Sequence, residues 1–227
     1  MGYDMYTVVV PDGEAQQVEE IRKQFFAAAR IRDTLSSDDP TFLFAQDRVV
    51  QLHELLRNTQ KSYFRLNIWG MGRFRQAMHE LGMAYACDLP GQFPPWPQGR
   101  LGQIAEALLE QEDPADYLAK YGRTAAEKAA PTDTEIAAVR ARQEQAEALL
   151  RSHPGDTAGI PLYKFGSNDG WIVTPAECMD ALAAWYRASD EQRERALANA
   201  GIDDIEYWNA WLDYLHRACF CEGFAVH

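Results

Sequence analysis

The chain has 227 residues, which suits one large domain or a domain with a sizeable insertion. Hydrophobic residues make up 47% and aromatic residues 11% of it, and this apolar content excludes a chain that is disordered throughout. The formal net charge of −12 disfavours nonspecific nucleic-acid binding, because that binding depends on cations that neutralise phosphates.

Composition also bears on location. No apolar run approaches the roughly 18–20 residues that a membrane helix needs, and the first residues lack the basic-then-apolar pattern of a signal peptide. We therefore expect a cytoplasmic protein with no membrane association. Four cysteines in a chain of this length predict reduced thiols rather than a disulfide framework. Arg outnumbers Lys by 17 to 5, which indicates a GC-rich genome and a bacterial-type protein.

The first third of the chain predicts one strand and two amphipathic helices. Residues 3–10 are expected to form a strand, because Tyr6-Thr7-Val8-Val9-Val10 is β-branched and apolar and Pro11-Asp12-Gly13 ends it. A helix is expected from about residue 14 to 32, because apolar residues recur every three or four positions. The same spacing predicts a second helix over residues 42–58.

The middle of the chain predicts a strand over residues 63–69, where buried and outward side chains alternate. We interpret Gly70-Met71-Gly72 as a turn into a short helix over residues 73–81. Polar, proline-rich sequence follows, with helices expected at 101–111, 114–121 and 133–151. Residues 90–158 are therefore predicted to be a helical insertion or protruding segment of a single domain that spans residues 1–227.

The last third predicts a hairpin of two strands, residues 160–165 and 171–173, joined by a turn rich in Gly, Asn and Asp. Thr174-Pro175-Ala176-Glu177 carries the capping-box pattern of a helix start. Helices are expected to about residue 187, at 190–200 and at 203–220, with a final strand at 224–226. The whole pattern predicts an α+β fold, mainly helical with about eight helices, and a small, mostly antiparallel sheet of three to five short strands.

The main candidate site is the segment of residues 57–79, which contains no acidic residue. Its cations are Arg57, Lys61, Arg65, Arg73 and Arg75. The outward face of its strand adds Asn67 and Trp69, and the helix that follows offers N–H groups to an anion. This segment predicts a site for a protein partner or an anionic ligand. The alternative is that these arginines pair with acids of the C-terminal half, since residues 101–227 hold 22 acidic and 11 basic residues.

A second candidate is the loop 166–170 with its neighbours. Lys164, Asn168, Asp169 and Trp171 could face a ligand, although Gly, Asn and Asp are also the ordinary residues of tight turns. A dinucleotide fingerprint fails, because Arg75 stands where the third glycine would fall, and no P-loop is present. We expect no cofactor.

The C-terminal helix carries a third and a fourth candidate. His216, Cys219 and Cys221, completed by Cys178, form a weak zinc pattern that lacks paired C-x-x-C knuckles, so we expect no metal. Tyr207, Trp211 and Tyr214 form a second aromatic line, which indicates either burial or a contact patch.

These observations favour a binding protein that recognises another macromolecule, for example as an inhibitor, an immunity-type or an antitoxin-type protein. Trp69 and Arg65, or Tyr207 and Trp211, would then anchor the contact. One alternative is a small enzyme or ligand binder that acts on an anionic substrate in a pocket between residues 63–73 and 164–171. The other is a structural component of a phage or cellular assembly. No catalytic motif is recognisable, so an enzyme is the less favoured class.

Overall fold

A computed structural model describes residues 2–227. Over these residues it confirms the mainly helical α+β class: 59% of the chain is helical, in ten helices, beside a four-stranded antiparallel sheet and a two-stranded parallel pair. The chain forms two compact units. The first combines the residues up to Cys87 with Gly155–His227, and the second is Asp88–Pro154. No helix within residues 2–227 is both long and apolar enough to cross a membrane.

The elements follow one another along the chain, and the second unit contains α4 to α7. They are β1 (Gly2–Thr7), α1 (Glu14–Thr34), α2 (Phe42–Thr59), β2 (Tyr63–Asn67), α3 (Ile68–Glu80), β3 (Ala84–Tyr85), α4 (Gly99–Leu109), α5 (Pro114–Tyr121), α6 (Ala125–Lys128), α7 (Asp133–Leu150), β4 (Ile160–Pro161), a 3-10 helix (Leu162–Phe165), β5 (Trp171–Val173), α8 (Pro175–Arg187), α9 (Asp190–Asn199), α10 (Ile205–Ala218) and β6 (Phe224–Val226).

The four-stranded sheet has the order β2-β1-β6-β5, and every neighbouring pair is antiparallel. Its inner face is apolar and belongs to one core cluster with α3, α8, α9 and α10. Trp208, Trp211 and Tyr214 of α10 are fully buried in that cluster. The aromatic line therefore divides: Trp211 and Tyr214 are core residues, and Trp211 cannot anchor a partner, whereas Tyr207 keeps 40% of its surface exposed.

The predicted hairpin of residues 160–165 and 171–173 is wrong. Residues 162–165 form the 3-10 helix, and β4 pairs in parallel with β3, while β5 pairs with β6. Gly223 allows this arrangement, because it has φ +86° and a Cβ there would stand 2.0 Å from the carbonyl oxygen of Val173. The hairpin signal was local, whereas the actual partner strand lies about fifty residues further along the chain.

The predicted turn at Gly70-Met71-Gly72 is also corrected. Both glycines lie inside α3, which begins at Ile68 because the side chain of Asn67 accepts a hydrogen bond from Gly70 N at 2.7 Å. The strand therefore ends two residues early. Ile68 and Trp69 leave the strand alternation and become exposed residues of the first helical turn, at 50% and 80% exposure.

Helices α1 and α2 form an antiparallel hairpin, which we call the arm, and they contact chiefly each other. Along each helix, the residues that face the other helix are separated alternately by three and four positions, as in a coiled coil. On α1 they are Glu14, Val18, Ile21, Phe25, Ala28, Arg32 and the adjoining Leu35; on α2 they are Phe42, Ala45, Val49, Leu52, Leu56 and Thr59. At the base of the arm, Glu14 Oε1 accepts hydrogen bonds from Ser62 N (2.9 Å) and Ser62 Oγ (2.6 Å), which ties α1 to the residue before β2.

The second unit has a small core of its own, formed by Ile104, Ala105, Leu118 and Val139. Arg100 holds its loops together: the guanidinium contacts the Glu135 carboxylate at 2.8 Å and donates to the carbonyls of residues 126, 127, 129 and 130. Glu135 also completes the capping box of α7 with Thr132. These Arg100 contacts are therefore structural, and the candidate site described below lies in the first unit.

Candidate functional site

A groove of about 480 Å³ lies in the first unit where the end of α2 and β2 meet α10. The first predicted segment contributes one side of it, with Arg57, Lys61 and Arg65. The other lining residues are Asn58, Gln60, Tyr63, Phe64, Asp204, Glu206, Tyr207, Ala210, Asp213 and Arg217. The groove therefore joins part of the acid-free segment to the first turns of the C-terminal helix.

Aromatic rings line part of the groove. Phe64 and Tyr207 stack with their ring centroids 5.2 Å apart and an angle of 22° between planes. The Tyr207 hydroxyl donates to the carbonyl oxygen of Arg65, which attaches α10 to β2. Burial, with a smaller contribution from Asp204, raises the pKa of Tyr207 above its ordinary value of 10.0, so this hydroxyl keeps its proton and remains a donor.

Charges of both signs surround these rings. Among residues 2–227, Arg57 and Lys61 form no ion pair, and neither do Glu206 and Asp213 across the groove. All four side chains are exposed. Arg217 is partly buried and donates from Nε to the Lys61 carbonyl at 3.2 Å. The groove thus offers donors and acceptors whose charges are not neutralised by neighbouring side chains.

Arg65 extends this surface over the edge of the sheet. Its Nε lies 3.6 Å from the Asp4 carboxylate, and 60% of its side chain is exposed, so the ion pair is a weak surface contact. Asp4 also accepts a 2.5 Å hydrogen bond from the Tyr63 hydroxyl, and burial together with this bond raises the pKa of Tyr63. Arg65 also approaches Gly2, which lines a second cavity.

The second cavity, of about 260 Å³, brings the two predicted segments together at one point. Gly2, Tyr3, Ile68, Ser167 and Asn168 line it, and Asn168 Nδ2 donates to the Gly2 carbonyl at 3.0 Å. Of the residues proposed to bind an anion, only Asn168 lines this cavity. Asn67 is occupied as the cap of α3, so its side-chain oxygen is engaged with the backbone.

Arg73 and Arg75 bind backbone rather than carboxylates. Arg73 donates to the carbonyl of Gly201 at 2.9 Å, and Arg75 approaches the carbonyl of Phe165 at 3.5 Å. Arg73 therefore holds α3 to the turn after α9, whereas Arg75 makes only a long contact with the end of the 3-10 helix. Among the described residues 2–227, none of the five cations forms an ion pair with an acid of the C-terminal half, and Arg65 instead pairs with Asp4 of β1.

Lys164 is fully buried. Its ammonium donates to both oxygens of Glu177, at 2.7 and 2.8 Å, and to the Ile172 carbonyl at 2.7 Å, while Glu177 is itself only 2% exposed. Burial lowers the pKa of Lys164, and the Glu177 charge opposes this effect. All three ammonium protons are engaged, so Lys164 joins the 3-10 helix to α8 and is unavailable to a ligand.

The other residues of the 166–170 loop organise the loop itself. Asp169 accepts a 2.6 Å hydrogen bond from Ser167 Oγ, and Ser167 Oγ accepts one from the Trp171 indole at 3.1 Å. Trp171 is 1% exposed and packs against Tyr163, with ring centroids 4.8 Å apart. Asp169 remains exposed at the surface.

The C-terminal His and Cys residues do not gather into a metal site. Within residues 2–227, no group of three or more His, Cys, Asp or Glu side chains is arranged to hold a metal ion. His216 bonds to the Tyr186 hydroxyl at 2.7 Å, and Cys221 is a separate buried thiol. A hydrogen bond from Cys178 lowers the pKa of Cys219, whereas burial raises the pKa of Cys178.

The α10 wall of the groove was not among the sites predicted from the sequence. Glu206, Ala210, Asp213 and Arg217 are spaced by four, three and four residues, so they share one face of the helix. That periodicity is visible in the sequence, although the aromatic residues form the more pronounced pattern along the same helix. No protein-family model, no curated protein and no solved structure matches this chain.

Proposed function

We propose that this protein binds another protein through one continuous surface: the groove, Arg65 and the exposed pair Ile68 and Trp69. The observation that carries the proposal is the 80% exposure of Trp69 beside Ile68, in the first turn of α3, which directly follows the strand whose Arg65 lines the groove. A tryptophan so exposed contributes little to folding. Trp, Tyr and Arg are the residue types that dominate interface energetics, and this surface presents all three.

The charges support a protein as the partner. Arg57 and Lys61 stand on one side of the groove, and Glu206 and Asp213 stand on the other. A surface that carries positive and negative charges fits a protein face with complementary charges better than it fits a polyanion. Complementary charges also select the partner and speed association. An inhibitor, immunity-type or antitoxin-type role would use a surface of this kind. We expect the encounter to take place in the cytoplasm.

The test is a quantitative capture experiment with two matched variants. Trp69→Ala removes the proposed anchor, and Phe220→Ala removes another exposed aromatic, at 89% exposure, outside the proposed surface. The wild type and Phe220→Ala should retain the same stoichiometric partner from the native host. Trp69→Ala should lose it, with affinity for the purified partner weakened at least about 30-fold, as for a hot spot of about 2 kcal/mol. Equal retention by all three proteins would refute the proposal.

A second candidate function is the binding of an anionic small molecule. The groove volume of about 480 Å³ favours it, since small-molecule sites commonly measure about 300–1,000 Å³. Inorganic phosphate and nucleotides should then raise the melting temperature in a saturable way, because a ligand of the native state stabilises it. Loss of that shift in Lys61→Ala would assign it to the groove. An unchanged melting temperature with every anion would exclude this candidate.

A further inference from the structure

Strand β2 is an edge of the four-stranded sheet, and β1 is its only neighbour there. Along an antiparallel strand, residues whose N–H and C=O both face the neighbour alternate with residues whose groups both face away. The Ser62 carbonyl accepts a hydrogen bond from Thr7 N at 2.8 Å, so residues 62, 64 and 66 face β1. The register therefore turns the backbone groups of Tyr63 and Arg65 toward the open edge.

Side chains of α10 cap part of this edge. The Tyr207 hydroxyl donates to the Arg65 carbonyl, and Arg217 Nε donates to the Lys61 carbonyl at 3.2 Å. Between these two caps, the N–H and C=O of Tyr63 and the N–H of Arg65 have no hydrogen-bond partner within residues 2–227. Unpaired backbone groups at a sheet edge are a template for one more strand.

The groove runs along the same stretch of edge. The two caps place Tyr207 level with Arg65 and Arg217 level with Lys61, so α10 lies beside β2 in the opposite direction. Four steps of strand span about 13 Å and ten steps of helix about 15 Å, so the two elements stay side by side over this length. The small Ala210 lies between the caps and leaves room there. An extended segment of about five residues fits this length.

The two sides of the groove differ in charge. Lys61 and Arg65, two residues before and after Tyr63, lie on the outward side and are exposed, and Asp4 offsets Arg65 only weakly. On the inner side α10 presents Glu206 and Asp213, which are exposed and form no ion pair within residues 2–227. Because a strand turns successive side chains to opposite sides, a strand in the groove meets cations on one side and carboxylates on the other.

We propose that the partner protein inserts an extended segment into the groove, where it pairs with β2 as a fifth strand of the sheet. This inference rests on the function proposed above. The segment bonds to the N–H and C=O of Tyr63 and to the N–H of Arg65, and the caps from α10 stay in place. Addition of a strand to an exposed sheet edge is a recurrent mode of peptide recognition.

The charges of the groove specify the chemistry of the segment. Its central residue lies level with Tyr63 and points outward, as Tyr63 does. The residues on either side of the centre point toward α10 and are basic, because Glu206 and Asp213 lie there. The next residue at each end points outward and is acidic, because it lies level with Lys61 or Arg65.

The same charges disfavour a second copy of this chain as the added strand. Two β2 strands paired antiparallel about a two-fold axis at Tyr63 would keep their outward faces on the same side of the sheet. Arg65 of one copy would then lie opposite Lys61 of the other, and like charges directly opposite each other destabilise a strand pair. A segment with alternating charge avoids this repulsion.

Two capped pentapeptides test the proposal on the full-length protein. Glu-Lys-Val-Lys-Glu has the predicted alternation, and Lys-Glu-Val-Glu-Lys is the matched control with the same composition and net charge. Both sequences read the same in either direction, so the test does not depend on the direction of the added strand. In NMR titrations the first peptide should bind at least about 10-fold more tightly than the second, because only its charges complement both sides of the groove.

Hydrogen exchange distinguishes strand pairing from a contact between side chains alone. With about four fifths of the protein bound to Glu-Lys-Val-Lys-Glu, exchange of the Tyr63 and Arg65 amides should slow about five-fold. The Phe64 and Leu66 amides already bond to β1 and should change little. Tyr63→Pro removes the N–H at an edge position that tolerates proline, and Tyr63→Ala is its control, since it removes the same side chain and keeps the N–H. Tyr63→Pro should bind the peptide at least about 10-fold more weakly than Tyr63→Ala.

Three results would overturn the inference: equal or absent binding of the two peptides, unchanged exchange of the Tyr63 and Arg65 amides at saturation, or a protein of twice the 25.7 kDa chain mass that the first peptide converts to monomer, since a second copy would then occupy the edge. Trp69 is not among the residues that line the groove, so Trp69→Ala should bind the first peptide as the wild type does. Loss of partner capture in Trp69→Ala without peptide protection in the wild type would refute strand addition alone. Peptide protection with equal capture by Trp69→Ala would refute only the Trp69 anchor.

Discussion

Replacement of Lys164 with methionine removes the positive charge from the buried pair that joins the 3-10 helix to α8. The Glu177 carboxylate would remain 2% exposed, and it would lose two hydrogen bonds of 2.7 and 2.8 Å. The Ile172 carbonyl would lose its 2.7 Å donor as well. Removal of one partner from a buried ion pair costs about 3–5 kcal/mol, because the other charge stays buried without its counter-ion; Glu177 keeps the hydrogen bond from Thr174 N at 2.7 Å.

Urea denaturation followed by tryptophan fluorescence measures this cost. Trp171, Trp208 and Trp211 are buried in the same unit and report its unfolding. With a urea dependence of about 2–3 kcal/mol per M, Lys164→Met should lower the midpoint by about 1–2.5 M. Such a loss is a large part of the about 5–15 kcal/mol that stabilises a typical domain.

The double variant Lys164→Met with Glu177→Gln is the decisive comparison. Gln at position 177 still completes the capping box with Thr174, but it carries no charge. The double variant should therefore be more stable than Lys164→Met by at least about 1.5 kcal/mol. If Lys164→Met costs under about 1 kcal/mol, or if the double variant is the less stable of the two, the reasoning that Glu177 needs a buried counter-charge is refuted.

Three further predictions concern the fold. Gly223→Ala should destabilise the sheet by more than about 3 kcal/mol, since its Cβ would clash with the Val173 carbonyl; an unchanged urea midpoint would contradict this. Glu14→Ala should speed hydrogen exchange in α1, through a loss of about 1–2 kcal/mol at Ser62, whereas the exposed Glu19→Ala should not. Arg100 and Thr132 hold the pKa of Glu135 at about 2, below its usual 4.5. The Glu135 carboxylate therefore takes up a proton more readily in the unfolded chain than in the folded one. Its contribution to stability is complete above pH 4.5 and declines as the pH falls toward 2. Circular dichroism should show that acid lowers the stability of Glu135→Gln less than that of the wild type. Identical acid profiles of the two proteins would contradict the ion pair.

Local signals in the sequence were sufficient for most helices. The two helices of the arm were expected over residues 14–32 and 42–58 and are found at Glu14–Thr34 and Phe42–Thr59. Apolar residues recur every three or four positions within each segment, and this local pattern is enough to predict a helix. The capping box at Thr174 likewise placed the start of α8, since it needs only residues within one turn. Where the sequence failed, at residues 68–72, an asparagine cap outweighed the turn preference of two glycines.

By itself, then, the sequence determined the class of fold and the position of most helices, since periodicity and capping act between residues a few positions apart. It also identified the acid-free segment that supplies one side of the groove. Only the tertiary structure decided that β5 pairs with β6, that Lys164 is buried against Glu177, and that α10 forms the other side of the groove. These outcomes depend on which distant segments pack together, and strand propensity and side-chain charge do not specify that choice.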